Sequence, residues 1–64
     1  MIKLDINLES NAAAFEVNPQ IELARIFLEF SQHIENGLEG KFLFRDVNGN
    51  LCGAGYLEIW EKES

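Results

Sequence analysis

The dipeptide Asn48-Gly49 stands between two apolar runs, and it is the strongest local constraint on how this 64-residue chain folds. Asn-Gly favours a type I′ turn, because both central residues of that turn need positive φ. We therefore predict a hairpin of strands 41–47 and 50–60 with a two-residue loop. A three-residue loop would change the pairing. The predicted opposite pairs are Phe44 with Gly53, Phe42 with Gly55, Leu43 with Ala54, and Lys41 with Tyr56.

One alternating segment and one helical segment precede the hairpin. Apolar residues at every second position from Ile2 to Leu8 predict a half-buried strand over 2–9. Asn18-Pro19 supplies a favoured N-cap and first helical residue, and Gly37 supplies the stop. The sequence therefore predicts a loop over 10–18 and a helix over 19–36. At 100° per residue, the expected core face of the helix consists of Leu23, Phe27, Phe30 and Ile34, flanked by Ile26 and Ala24.

The order β-α-β-β predicts a single α+β domain, residues 1–64, with one helix packed on a three-stranded sheet. Pairing within the hairpin excludes the strand order 2-1-3. Orders 1-2-3 and 1-3-2 remain, and we favour 1-3-2 because it is antiparallel throughout and antiparallel pairs are commoner.

The loop before the helix has two expected roles. We expect Phe15 and Val17 to tuck under the sheet. Ile21 and Leu28 lie off the predicted core face of the helix, and we expect the segment 12–17 to cover them; the alternative is a small exposed patch.

Both faces of the predicted hairpin are apolar, although the chain has only one helix to cover one of them. The face opposite the helix carries Arg45, Cys52 and Ala54 in addition to four larger side chains. Either the 12–17 loop and the tail 61–64 cover this face, or it is a protein interface, because Tyr and Trp are enriched at binding hot spots. We favour an interface that a homodimer would use. Its predicted residues are Leu43, Val47, Tyr56 and Trp60.

The chain is acidic, with a net charge of -6, and its five basic residues are scattered singly. This distribution disfavours direct binding of nucleic acid or of an anionic membrane. Four carboxylates form a possible acidic face along the helix and its exit: Glu22, Glu29, Glu35 and Glu39. Such a strip is ordinarily a solvated surface; the alternative is an inhibitor that imitates the phosphates of nucleic acid.

No catalytic, cofactor or metal site is expected. His33 and Cys52 are the only residues of their types, and neither has a second catalytic group nearby in sequence. The segment 46–50 departs from the calcium-loop pattern, because its glycine falls two positions early. We find no targeting segment or membrane-spanning run, and one free cysteine fits a reducing compartment, so we expect a cytosolic protein that is not an enzyme.

A longer pattern resembles a group of very small proteins encoded by tailed phages and prophages. The residues that carry the resemblance are Ala13-Ala14-Phe15, Asn18-Pro19, Glu22, Ala24-Arg25-Ile26, Gly37, Asp46, Asn48-Gly49-Asn50 and Gly53. The resemblance implies an accessory role in a bacterial host cytoplasm and carries over no functional residues. Our hypothesis is a non-enzymatic accessory protein that binds another protein, as a homodimer. The alternative is an acidic nucleic-acid mimic that blocks a CRISPR-type or DNA-binding protein.

Overall fold

Three antiparallel strands pair in the order β1-β3-β2 in the computed structural model, which describes residues 1–61. The α+β class and the strand order 1-3-2 are therefore confirmed. The part of the tail over 62–64 lies outside the described residues. The elements are β1 (Ile2–Leu8), a 3-10 turn (Ala13–Phe15), α1 (Pro19–Glu35), β2 (Gly40–Arg45) and β3 (Leu51–Ile59).

Helix α1 begins and ends where its capping residues indicate. The Asn18 carbonyl accepts hydrogen bonds from the N–H groups of Ile21 and Glu22, although the Asn18 side chain makes no capping bond. Gly37 has a φ of 96°, its N–H donates to Ile34, and the N–H of Leu38 donates to His33. This pair of bonds is a Schellman motif, which needs a residue in the left-handed region at its turn.

The hairpin has the predicted register but a different turn. Phe44 lies opposite Gly53 and Phe42 opposite Gly55, as predicted. The two-residue type I′ loop is wrong, because no residue other than glycine has positive φ within the described chain. Instead, the N–H of Asp46 donates to the carbonyl of Asn50 at 2.9 Å, which leaves a loop of residues 47–49 that ends on Gly49 with a φ of 83°.

A β-bulge at Cys52 compensates for the longer loop. Arg45 pairs with Leu51 while Phe44 pairs with Gly53, so Cys52 is an extra residue in the ladder. The bulge turns Cys52 into the core, where it is 3% exposed and its thiol donates to the Phe44 carbonyl at 3.5 Å. The expectation that Cys52 lies on the face opposite the helix is therefore wrong.

An aromatic cluster forms the core between α1 and the hairpin. The ring of Phe30 lies 4.7 Å from that of Phe42 and 5.1 Å from that of Phe44, measured between centroids. The buried apolar residues are Ile26, Phe30, Phe42, Phe44, Cys52 and Leu57.

The helix is rotated relative to the predicted core face. Phe30 is buried as predicted, but the line of buried residues on α1 is Glu22, Ile26 and Phe30, spaced four apart. Phe27 and Ile34 lie on its flank and stay more than a third exposed. The cause is a hydrogen bond from the Val47 N–H to the Glu22 carboxylate at 2.9 Å, which turns that line of side chains towards the hairpin.

The loop before the helix covers less than expected. Phe15 is partly buried against the core, but Val17, Ile21 and Leu28 are exposed, so the predicted cover over the helix is wrong. The reason is local: residues 13–15 form a 3-10 turn, which holds this segment in a short coil beside the helix.

Candidate interaction surfaces

The outer face of the sheet, which points away from α1, carries three of the four residues predicted as an interface. Leu43 and Tyr56 stand on neighbouring strands, and Tyr56 remains 47% exposed. Trp60 follows β3 on the same side by alternation and is also exposed. Charged and polar residues surround this apolar group on the three strands: Lys3, Asp5, Asn7, Lys41, Arg45 and Glu58.

Val47 lies away from that face. It belongs to the hairpin turn, because β2 ends at Arg45 and not at residue 47 as predicted. Val47 is exposed and lines a shallow depression together with Val17 and Ile21 at the start of α1. The predicted four-residue interface is thus two separate apolar surfaces.

A third apolar surface lies on the helix side of the sheet and was not predicted. Ile2, Leu4 and Ile6 of β1 lie opposite Ile59, Leu57 and Gly55 of β3, so all three point to the face that α1 packs on. Ile2 is nevertheless 66% exposed and Leu4 45%. We call the row Ile2, Leu4, Ile6 and Ile59 the open inner row.

The open inner row exists because the helix is held at the other side of the sheet. Only residues 36–39 connect α1 to β2, and their Leu38 packs into the core. The helix therefore lies over β2 and the adjoining part of β3. Residues 2–6 of β1, at the opposite edge, are left exposed, whereas Leu8 packs against the core. The shortness of this connection was the sequence signal for the open row.

Two buried carboxylates lie where the helix start meets the hairpin turn: Glu22 joins the two elements, and Asp46 bonds within the turn. Glu22 accepts hydrogen bonds from Arg25 Nε at 2.6 Å and from the Val47 N–H, and these bonds lower the pKa of Glu22. Burial opposes ionisation of Asp46, but hydrogen bonds from Asn50 and Asn48 outweigh it and lower the pKa of Asp46. Both carboxylates are therefore held in place by hydrogen bonds from neighbouring groups.

The predicted acidic face is smaller than the sequence indicated. Glu22 is 7% exposed and satisfied internally, so it cannot present its charge to a partner. Glu29 is exposed but accepts a hydrogen bond from Arg25 Nη1 at 3.2 Å. Glu35 and Glu39 are exposed on the helix end and in the following loop. Three carboxylates remain accessible, and one of them is paired.

A groove of about 310 Å³ lies between α1 and the free edge of β2. Its floor is apolar, and its rim brings the imidazole of His33 within 3.9 Å of the Glu29 carboxylate. Both side chains are largely exposed, and they interact as side chains four residues apart on a helix surface ordinarily do. The residues that line the groove are Ile26, Glu29, Phe30, His33, Leu38, Lys41, Phe42, Leu43, Phe44 and Arg45.

The described part of the chain also bears on three other kinds of site. Across residues 1–61, no three His, Cys, Asp or Glu side chains gather as metal ligands would. In the same part of the chain, no helix combines the length and apolar character needed to cross a membrane. Burial raises the pKa of the Cys52 thiol, as do the nearby charges of Asp46 and Glu22, which opposes formation of a nucleophilic thiolate.

Comparison with known proteins adds no assignment, since no family model, curated protein or solved structure matches this chain.

Proposed function

We propose that this protein is a non-enzymatic module that works by binding other protein surfaces, and that it does so as a homodimer. The observation that supports the proposal is the exposure of large apolar side chains on both faces of one small sheet. The outer face has Leu43, Tyr56 and Trp60, and the inner face has the open inner row. Tyr and Trp, which the outer face carries, are enriched at the hot spots of protein interfaces.

We also propose the cellular context in which the protein acts. The resemblance to small phage and prophage proteins favours an accessory protein in the cytoplasm of a bacterial host. A module with an apolar surface on each face of its sheet suits this role, because one face serves self-association and the other remains for a host protein. The partition we propose gives the outer face to the host protein.

A capture experiment with matched variants tests the role of the outer face. Tyr56→Arg replaces an exposed aromatic side chain with a charge, whereas Asn7→Arg adds the same charge to the same face without removing an apolar group. We expect Tyr56→Arg to lose the proteins that the wild type captures from host lysate and Asn7→Arg to keep them. Equal capture by both variants would refute an outer-face interface.

The oligomeric state is measured separately by light scattering over a range of concentrations. We expect the wild type and Tyr56→Arg both to be dimers, since the outer face is reserved for the partner. A monomer at high concentration would refute the homodimer. Binding that survives Glu29→Gln together with Glu35→Gln would argue further against nucleic-acid mimicry.

A further inference from the structure

The outer edge of β1 carries a defined set of unpaired backbone groups. Met1 and Trp60 exchange hydrogen bonds, with the Trp60 N–H at 3.0 Å from the Met1 carbonyl, and the Glu9 N–H donates to Cys52 at 2.9 Å. Bonded pairs alternate along an antiparallel ladder, so the odd-numbered residues turn their backbones towards β3. The even-numbered residues turn their N–H and C=O groups to the free edge. They are Ile2, Leu4, Ile6 and Leu8.

We propose that β1 pairs antiparallel with β1 of a second copy, about a two-fold axis at Leu4. In this register Leu4 lies opposite Leu4 of the other copy, and Ile2 lies opposite Ile6. All three residues present unpaired backbone groups, so each pair can exchange two hydrogen bonds. The inference rests on the proposed homodimer and names the surface that forms it.

Charge complementarity selects this register. On the outer face, Lys3 of one copy lies opposite Asp5 of the other, twice around the axis. These are the positions between bonded pairs, where side chains come closest, with Cα atoms about 4.5 Å apart. Within one copy Lys3 Nζ already lies 3.8 Å from the Asp5 carboxylate, so pairing assembles a ring of four alternating charges.

Neighbouring registers are less favourable. An axis at Asp5 places Asp5 against Asp5, and an axis at Lys3 places Lys3 against Lys3, and like charges directly opposite are destabilising. An axis at Ile6 pairs Lys3 with Glu9, which lies beyond the end of β1, and sets Asp5 against an uncharged Asn7. If one strand slides by a single residue, the free N–H and C=O groups of one copy face backbone groups of the other copy that are already bonded to β3.

The pairing gives one six-stranded sheet with both helices on the same face, because the two-fold axis is perpendicular to the sheet. The open inner rows of the two copies then adjoin each other, and Ile2 gains contact with Ile6 of the other copy. The pairing also covers the exposed edge of β1, and an unpaired strand edge promotes aggregation.

Variants with one added cysteine read the register directly. Lys3 and Asp5 are exposed, so Lys3→Cys and Asp5→Cys keep the fold, and the native Cys52 is buried. The variants are unfolded in urea, refolded separately or as a mixture, and oxidised by air. We expect a covalent dimer in the mixture only, because a separation of about 4.5 Å between Cα atoms permits a disulfide.

Every other pattern overturns the register. Cross-linking of Asp5→Cys with itself would place the axis at Asp5, and self-linking of Lys3→Cys would place it at Lys3. If no sample cross-links while light scattering still reports a dimer, the homodimer stands and the β1 pairing is wrong. If light scattering reports a monomer, both proposals fail.

A charge exchange provides a second and independent measurement. Asp5→Lys converts both Lys–Asp pairs into Lys–Lys pairs and should raise the dimer dissociation constant roughly 10- to 100-fold at low salt. The double variant Lys3→Asp with Asp5→Lys restores opposite charges and should restore the dissociation constant of the wild type. Failure of the double variant to recover dimerisation would refute the predicted contact.

Discussion

Replacing Gly55 with alanine tests how closely the sheet is packed against its aromatic core. A Cβ atom built on Gly55 would lie 2.5 Å from Cζ and 2.7 Å from Cε2 of Phe42, and it would also meet the carbonyl oxygen of Asp5. Carbon atoms pack best at about 3.5–4.0 Å, so the ring would have to move by about 1 Å. Phe42 has little room to move, because its ring centroid lies 4.7 Å from that of Phe30.

The expected cost follows from these contacts. Overpacking of a core costs about 1–3 kcal/mol, and replacing glycine with alanine returns about 0.4–1 kcal/mol by restricting the unfolded chain. We expect Gly55→Ala to lower the free energy of unfolding by about 1–2 kcal/mol. For a domain of this size the total free energy of unfolding is roughly 3–10 kcal/mol, and each kcal/mol lost lowers Tm by about 4–8 °C.

Urea unfolding, followed by circular dichroism, measures this loss. The comparison with Phe42→Leu and with the double variant Phe42→Leu, Gly55→Ala separates the two contacts. Removing the ring should relieve part of the cost, whereas the part due to the Asp5 carbonyl should persist because backbone cannot rotate away. If Gly55→Ala is as stable as the wild type with an unchanged spectrum, Phe42 does not pack over Gly55 as described.

Three further predictions concern the hairpin turn and the helix start. The lowered pKa of Glu22 stabilises the fold above the unfolded-state pKa of about 4.3, and this stabilisation disappears as pH falls towards the folded-state pKa. Glu22→Gln should therefore flatten the acid side of a curve of stability against pH, measured by urea midpoints. An unchanged slope would contradict the contacts of Glu22 with Arg25 and Val47. Gly49→Ala should cost about 1 kcal/mol in thermal unfolding, because Gly49 has a φ of 83°, and a neutral result would contradict the three-residue loop. The Cys52 thiol should be alkylated by iodoacetamide far more slowly in native buffer than in urea, and rapid native labelling would contradict its inward position.

The sequence was sufficient for the arrangement of elements because local signals and the global fold agree. Pro19 and Gly37 mark the helix, and the alternating residues of β1 mark the first strand. The pairing of Phe42 with Gly55 also follows, since the aromatic rings need the space that glycine leaves. Gly53 makes room for a different neighbour: its Cβ would lie 2.6 Å from the Asn7 carbonyl and 2.9 Å from Leu8 Cα, so β1 uses that space.

Two features that could not be predicted, the loop length and the rotation of the helix, depend on side-chain to backbone hydrogen bonds. The carboxylate of Asp46 accepts the N–H groups of both Asn48 and Asn50 at 2.9 Å, and this favours the three-residue loop over the type I′ turn. In the same way, the Val47 N–H draws Glu22 inwards and rotates the helix. Neither contact has a periodic signature, because each joins a particular carboxylate to a particular loop.

The candidate surfaces, too, were predicted only in part from the sequence. The exposure of Leu43, Tyr56 and Trp60 could be predicted, because one helix can cover only one of two apolar faces. The open inner row did not follow from that count, since it depends on where the helix rests across the sheet. Helix position is set by the connection over 36–39, a distance constraint that alternation along β1 does not report.

The compensating loop and bulge leave the chain with two ways to close its hairpin. A two-residue turn without a bulge would share every strand pair from Phe44–Gly53 onwards, and would differ only between Arg45 and Cys52. The Asp46 carboxylate decides between them, since the alternative gives up its bonds to the loop and needs Asn48 at positive φ. Loss of that charge would therefore favour a strictly local rearrangement, in which residue 52 changes sides while the remaining sheet keeps its alignment.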